Sequence, residues 1–290
     1  LFEEAASIDN NFVEAHAKHA FVSMKLGYYD KCEEILDNAM EIADETDNDR
    51  GKIEVFNYLG NLYGVQHKLT KAKKNTETAL KMLQLYDDQS SESRFLYNLA
   101  GHMYFAHKPE EALTYLDRSR ELKVNLEENE SLAMVYALYG NVYTILNDHS
   151  KAIDYRERAG TQSKEMGMEL LACKYLIALA GSYQKIGNYD KAKDILLEVD
   201  DMDKQMFDEG KIHFIRGRIF IQTEEYIAAL QELKYAEGIF HKSGDNRMLA
   251  NTYMELASLN IYIEKLDQAS QYIDLVMEFA GKVMGNDLQY

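Results

Sequence analysis

Residues 138–159 read LYGNVYTILNDHSKAIDYRERA, a stretch in which small and large residues recur at helical spacing. Gly140 is followed three residues later by Tyr143, and after a short polar break Ala152 is followed seven residues later by Ala159. Because seven residues make two helical turns, both alanines lie on one face of a helix. The stretch therefore predicts two helices joined by a tight turn, with small residues where the helices meet.

The same pattern recurs along the 290-residue chain. The small residues equivalent to Ala152 are separated by 40 residues, with one interval of 37, and lie at Cys32, Ala72, Ala112, Ala152, Ala192, Ala229 and Ala269. A period of about 20 to 50 residues is the signature of stacked repeats. We therefore expect an all-α fold, an α-solenoid of antiparallel helix hairpins, with helices of about 16 to 18 residues.

Three stretches resemble the tetratricopeptide repeat family: residues 58–80, 138–159 and 179–199. The family's usual unit has about 34 residues, whereas the unit here has 40, and the proline that often ends the second helix is missing. The single proline, Pro109, lies at a turn inside the third unit. The resemblance implies a right-handed superhelix in which the first helix of each unit lines a concave, peptide-binding groove.

The repeat predicts one array that covers residues 1–290. Residues 1–10 are expected to be the tail of a preceding repeat. Seven full units then follow, at 11–48, 49–88, 89–128, 129–168, 169–205, 206–245 and 246–285.

The net charge of the chain limits the classes of partner that it can bind. There are 32 basic and 49 acidic residues, which give a net charge of −17. An acidic surface repels phosphate backbones, so we expect neither nucleic acid nor an anionic membrane as a partner. The excess is typical of a long exposed repeat array kept in solution, and it would also suit a basic protein partner. The sequence does not determine whether the chain forms a homodimer.

No motif in the sequence predicts catalysis, a metal site or a cofactor. There is no His-Glu-x-x-His, no Cys-x-x-Cys and no phosphate-binding glycine loop, and His16 and His19 lack a third ligand. Cys32 and Cys173 are expected to be free, buried thiols in a reducing compartment, which favours a cytoplasmic location. The sequence therefore predicts a protein that is not an enzyme and that acts through its shape.

Candidate binding residues follow from the phase of the repeat. If the first helices line a groove, positions on either side of each small residue should face it, and these are Asn57, Asn61, Asn98, His102, Asn141, Lys174, Lys211 and Arg218. An asparagine amide can donate to and accept from a peptide backbone, although asparagine is also tolerated on any exposed helix face. The lysines and Arg218 predict that an acidic or carboxylate-ended part of the ligand lies toward the C-terminal units.

Two functions remain compatible with these features. The first is a scaffold that binds a peptide or protein segment in the groove. The alternative is the ligand-sensing region of a larger bacterial transcriptional or signalling regulator. Long-unit arrays of this kind resemble those of polarity adaptors, kinesin light chains and peptide-sensing regulators of Gram-positive bacteria, and the sequence does not choose among the three.

Overall fold

In a computed structural model, the chain is described over residues 12–287, with side chains described to residue 279. This part contains fourteen helices and no strand. The helices are α1 (Val13–Lys25), α2 (Tyr29–Glu45), α3 (Asp49–Val65), α4 (Leu69–Leu83), α5 (Gln89–Phe105), α6 (Pro109–Asn125), α7 (Asn129–Ile145), α8 (His149–Glu165), α9 (Glu169–Lys185), α10 (Tyr189–Asp200), α11 (Met206–Gln222), α12 (Tyr226–Ser243), α13 (Asn246–Tyr262) and α14 (Leu266–Asp287). Over this range, no helix combines the length and apolar character that crossing a bilayer requires.

Most helices have the predicted length of about 16 to 18 residues, but α1, α4, α10 and α14 have 13, 15, 12 and 22 residues. Nine of the fourteen described helices span 17 residues, which is about 25 Å at 1.5 Å per residue. Each of the seven predicted repeat ranges contains two helices. The predicted tail at residues 1–10 lies outside the described residues.

The chain divides into two compact units, Leu1–Leu146 and Asn147–Tyr290. Unit 1 contains α1 to α7, and unit 2 contains α8 to α14. Within each unit every helix packs against the next one along the chain. A single array of seven repeats stays a prediction.

Local sequence signals set where the helices begin and end. Five of the described helices have an Asn or Asp N-cap whose side chain accepts the backbone N–H three residues on, namely Asn48, Asp88, Asp148, Asn188 and Asp245. Such a cap satisfies one of the N–H groups that a helix start leaves unpaired. Helices commonly end on a residue with positive φ, and here those residues include Gly27, Gly167, Gly187 and Gly244, as well as Asp47, His67, His107 and Glu127.

Small residues let the two helices of a hairpin approach closely in unit 1. Ala72 and Ala79 of α4 are fully buried, as predicted from their spacing. A Cβ added at Gly60 of α3 would overlap the Thr76 hydroxyl and lie 3.2 Å from the Ala72 carbonyl oxygen. Tyr63, three residues after Gly60, donates its hydroxyl hydrogen to Glu33 Oε1 of the preceding hairpin at 2.8 Å. The glycine and tyrosine of the repeat therefore serve packing.

The shortest helix of unit 2 explains the one interval of 37 residues. Helix α10 has 12 residues and ends at Asp200. Lys204 then turns back, and its Nζ donates to the carbonyl oxygens of Val199, Asp200 and Met202 at 3.2, 2.7 and 2.9 Å. The ammonium thus places a positive charge and three hydrogen bonds at the carbonyl groups at and just beyond the C-terminus of the short helix.

Candidate functional site

The first helices of successive hairpins form one layer in each unit. In unit 1, α1 contacts α3, α3 contacts α5, and α5 contacts α7. In unit 2, α9 contacts α11, and α11 contacts α13. We call each of these layers a first-helix face. All eight predicted binding residues lie on first helices, five in unit 1 and three in unit 2.

Three asparagines of unit 1 keep part of their surface in solvent. Asn61, Asn98 and Asn141, on α3, α5 and α7, are half-buried. Asn57 is different, because it is fully buried, and its Oδ1 accepts a hydrogen bond from Asn98 Nδ2 at 2.9 Å. The expectation that Asn57 contacts a ligand is therefore corrected. It joins α3 to α5 instead.

His102 is also a packing residue. It is 6% exposed, and its Nε2 lies 3.3 Å from Thr76 Oγ1. Its ring fills the space beside Gly64, where a Cβ would lie 2.7 Å from His102 Cε1. Burial lowers the pKa of the His102 imidazole to about 4, so the ring is neutral near pH 7. The prediction that His102 faces a groove is corrected for this reason.

A cleft in unit 1 contains residues that the phase argument missed. It has a volume of about 300 Å³ and is lined by Glu14, Ala17, Lys18, Glu54, Tyr58 and Arg94. Arg94 Nη1 donates to Glu54 Oε2 at 3.2 Å, which links α5 to α3. Burial, reinforced by Glu54, raises the pKa of the Tyr58 hydroxyl. The 40-residue separation of Glu54 and Arg94 matches the repeat and could have signalled the pair.

In unit 2, two predicted lysines lie close enough to influence each other. Lys174 on α9 is exposed, and Lys211 on α11 is half-buried. Lys211 Nζ lies 3.3 Å from Asp208 Oδ1 and 4.1 Å from the centre of the Phe207 ring. Burial is the main reason that the pKa of Lys211 is lowered, and the positive charge of Lys174 adds to it.

Arg218, the third predicted cation, is already paired. Its Nε lies 3.1 Å from Glu255 Oε1 on α13, and its guanidinium lies 5.8 Å from the centre of the Phe214 ring. Burial raises the pKa of the Glu255 carboxyl, and Arg218 opposes that effect. The sequence reasoning missed Glu255, although its separation of 37 residues from Arg218 is close to the interval of 40 residues from Ala229 to Ala269 and could have signalled the pair.

Among the described residues, no three His, Cys, Asp or Glu side chains come together as metal ligands could. Cys32 and Cys173 are free and buried. Burial, reinforced by Glu33, raises the pKa of Cys32 to about 11, so this thiol is not activated for chemistry. What the first-helix faces offer is hydrogen bonding, charge and aromatic surface.

Comparison with known proteins identifies the repeat. A family model for the tetratricopeptide repeat matches residues 91–159. Response regulator aspartate phosphatase I of Bacillus subtilis (strain 168) is 20% identical over 289 residues, covering 89% of this chain and 74% of that protein.

Two solved structures are similar to the chain as a whole. The apo form of RapI is 17% identical with a TM-score of 0.75, covering 94% of this chain and 99% of that one. The Rap conjugation gene regulator of the plasmid pLS20, solved with a peptide, is 13% identical with a TM-score of 0.63, covering 92% of this chain and 83% of that one. The all-α solenoid of helix hairpins is thereby confirmed, and residues 91–159 match the tetratricopeptide repeat.

Proposed function

We propose that the chain binds a peptide, or an extended segment of a partner protein, along its first-helix faces. The observation that carries the proposal is the pair Lys174 and Lys211. Lys211 is held half-buried beside Phe207, where burial and Lys174 disfavour its charge and outweigh the opposing effect of its ion pair with Asp208. A carboxylate from a ligand would offset both costs and accept charge-assisted hydrogen bonds.

The asparagines give the first-helix face of unit 1 its own groups for binding a peptide backbone. Asn61, Asn98 and Asn141 recur on successive first helices and are half-buried. Asn98 donates one amide hydrogen to Asn57. This bond fixes the orientation of the Asn98 side chain and leaves the Asn98 amide oxygen as an acceptor. Because an amide can both donate and accept, the three residues could hold an extended backbone without selecting its sequence.

The relatives support binding as the mode of action. One Rap structure contains a peptide, and another is a complex with competence and sporulation factor. The curated relative carries the name of a phosphatase, but we infer that the present chain contributes binding and no catalytic step of its own. The free, buried cysteines support a reducing, cytoplasmic setting.

A peptide library tests the carboxylate site. Short random peptides with a free C-terminus should yield binders, and amidating their C-terminus should weaken binding about tenfold. Lys174→Gln should cause a similar loss. Lys242→Gln, which alters an exposed lysine on the second helix α12, should not. Equal binding by both variants would contradict the proposal.

The asparagines are tested by a double substitution. Asn61→Ala with Asn141→Ala should weaken library peptides that bind unit 1 about tenfold while leaving the melting temperature within a few degrees, because both side chains are half-buried. Thr70→Ala, at an exposed position of α4, is the control. Unchanged affinity of the double variant in a calorimetric titration would show that the two asparagines do not contact the peptide.

The second candidate function is the sensing region of a larger regulator. It is favoured by the similarity to RapI and to a protein named a response regulator aspartate phosphatase. A sensor must respond to its ligand. A bound library peptide should therefore slow amide hydrogen exchange on helices that it does not touch, whereas a passive scaffold would show protection only at the contact.

A further inference from the structure

The last hairpin that the structure describes, α13 and α14, exposes an apolar side chain that the earlier repeats bury. Ile273 lies four residues after Ala269 and is 48% exposed. In five of the six earlier repeats the equivalent residue is at most 1% exposed, and in the sixth Arg156 is half-buried. The five buried residues are Leu36, Thr76, Leu116, Leu196 and Leu233.

Helix α13 shows the same change. Ile261 is 52% exposed, whereas the equivalent residues Met24, Gln184 and Ile221 are 5 to 6% exposed, and Gly64, Tyr104 and Thr144 are half-buried. Met254 is 55% exposed, whereas the equivalent residues Ala17, Asn57 and Ile177 are at most 2% exposed, and Tyr97, Ala137 and Phe214 are half-buried.

Within each unit, the element that buries these positions is the first helix of the next hairpin. The next hairpin's first helix packs against both helices of its predecessor, as α3 does on α1 and α2 and as α13 does on α11 and α12. The surface formed by Met254, Ile261, Leu266, Ile273 and Met277 is therefore shaped to seat one more helix. We call it the terminal notch.

The charges beside the terminal notch favour one class of helix. Leu266 is followed by Asp267 and Ile273 by Asp274, and both aspartates are exposed. Successive residues on a helix are about 100° apart, so the two acids form a row beside the apolar row. A second copy of this chain would bring acidic rows together, at a cost that the net charge of −17 increases. A helix with lysine or arginine beside its apolar face would instead be attracted.

We propose that the terminal notch docks an amphipathic helix of a partner protein, with leucine-like residues on one face and basic residues beside them. The site uses the packing surface between repeats and is independent of the peptide-binding function proposed for the first-helix faces.

A designed helix provides the probe. A labelled peptide of about 18 leucine and lysine residues, matched to the helix length of the repeat, should bind, and a leucine–glutamate counterpart should bind at least about tenfold more weakly. Ile273→Glu should also weaken the leucine–lysine peptide about tenfold, although it adds an attractive negative charge. Ile227→Glu, at an 81% exposed position of α12, should leave binding unchanged. Asp267→Lys with Asp274→Lys should reverse the preference between the two peptides.

Two outcomes would overturn the proposal. Equal binding of the leucine–lysine peptide by wild type, Ile273→Glu and Ile227→Glu would mean that only general charge attracts it. A wild-type dimer in sedimentation analysis that Ile273→Glu dissociates would assign the terminal notch to a second copy. Circular dichroism checks that Ile273→Glu folds, which its exposure leads us to expect.

Discussion

At the scale of single residues, Gly60 occupies the small position of the repeat, whereas Gly101 lies one residue after the equivalent residue, Ala100. A Cβ at Gly60 would overlap the Thr76 side chain, whereas a Cβ at Gly101 would meet nothing within 4 Å. Gly60→Ala should therefore destabilise the protein by about 1–3 kcal/mol through overpacking. Gly101→Ala should stabilise it by about 0.5–1 kcal/mol, because alanine loses less backbone entropy in a helix. Urea unfolding of the two variants measures both changes in the free energy of unfolding. Changes of the same sign would contradict this account.

His102 makes the stability of unit 1 depend on pH. Its pKa falls from 6.5 in the unfolded chain to about 4 in the fold because it is buried. The unfolded state therefore binds the proton more readily, so the contribution is complete above about pH 6.5 and is lost as pH falls toward 4. The loss is about 3 kcal/mol at most.

The measurement compares urea midpoints of wild type and His102→Gln between pH 7 and pH 4. Carboxylates will also contribute to the pH dependence of both proteins, so the difference between them is the informative quantity. The variant should lose less stability than wild type over this interval. Parallel curves would show that His102 does not titrate with folding.

At the scale of elements, helix α10 depends on a side chain beyond its end. Lys204 donates to three carbonyl oxygens at the C-terminus of α10. Lys204→Met should therefore destabilise unit 2 by about 1–2 kcal/mol, because it removes charged hydrogen-bond donors from the negative end of the helix. Lys193→Met, which removes an exposed ion pair to Glu225 at 3.7 Å, should cost less than about 0.5 kcal/mol. Equal changes in melting temperature for Lys204→Met and Lys193→Met would show that Lys204 does not stabilise the end of α10.

At the scale of the whole molecule, each unit has its own apolar core. Leu36 is fully buried in a cluster formed by α1 to α3, and a second cluster in unit 2 contains Leu233 and Phe240. In repeat proteins stability is carried mainly by nearest neighbours. Leu36→Ala should therefore cost about 2–5 kcal/mol and raise amide exchange in α1 to α4 much more than in α11 to α14. Leu85→Ala, at an 81% exposed position, should change neither, and uniform acceleration across both units would contradict local coupling.

The hairpin architecture could be predicted from the sequence because its causes are local. The spacing of Ala72 and Ala79, the caps at Asn48 and Asp88, and the polar breaks between helices are properties of short stretches. The 40-residue period then repeats the same hairpin. These features determined the all-α class, the helix lengths and the positions of the turns.

Only the tertiary structure decided which polar residues reach solvent. Asn57 and Asn98 hydrogen-bond each other across adjacent first helices, yet Asn57 is fully buried and Asn98 is half-buried. Asn98 lies 41 residues after Asn57, so the two are one residue out of phase with the 40-residue repeat, and their exposure depends on how closely the next first helix approaches. For the same reason the open terminal notch could be seen only after the hairpins were packed.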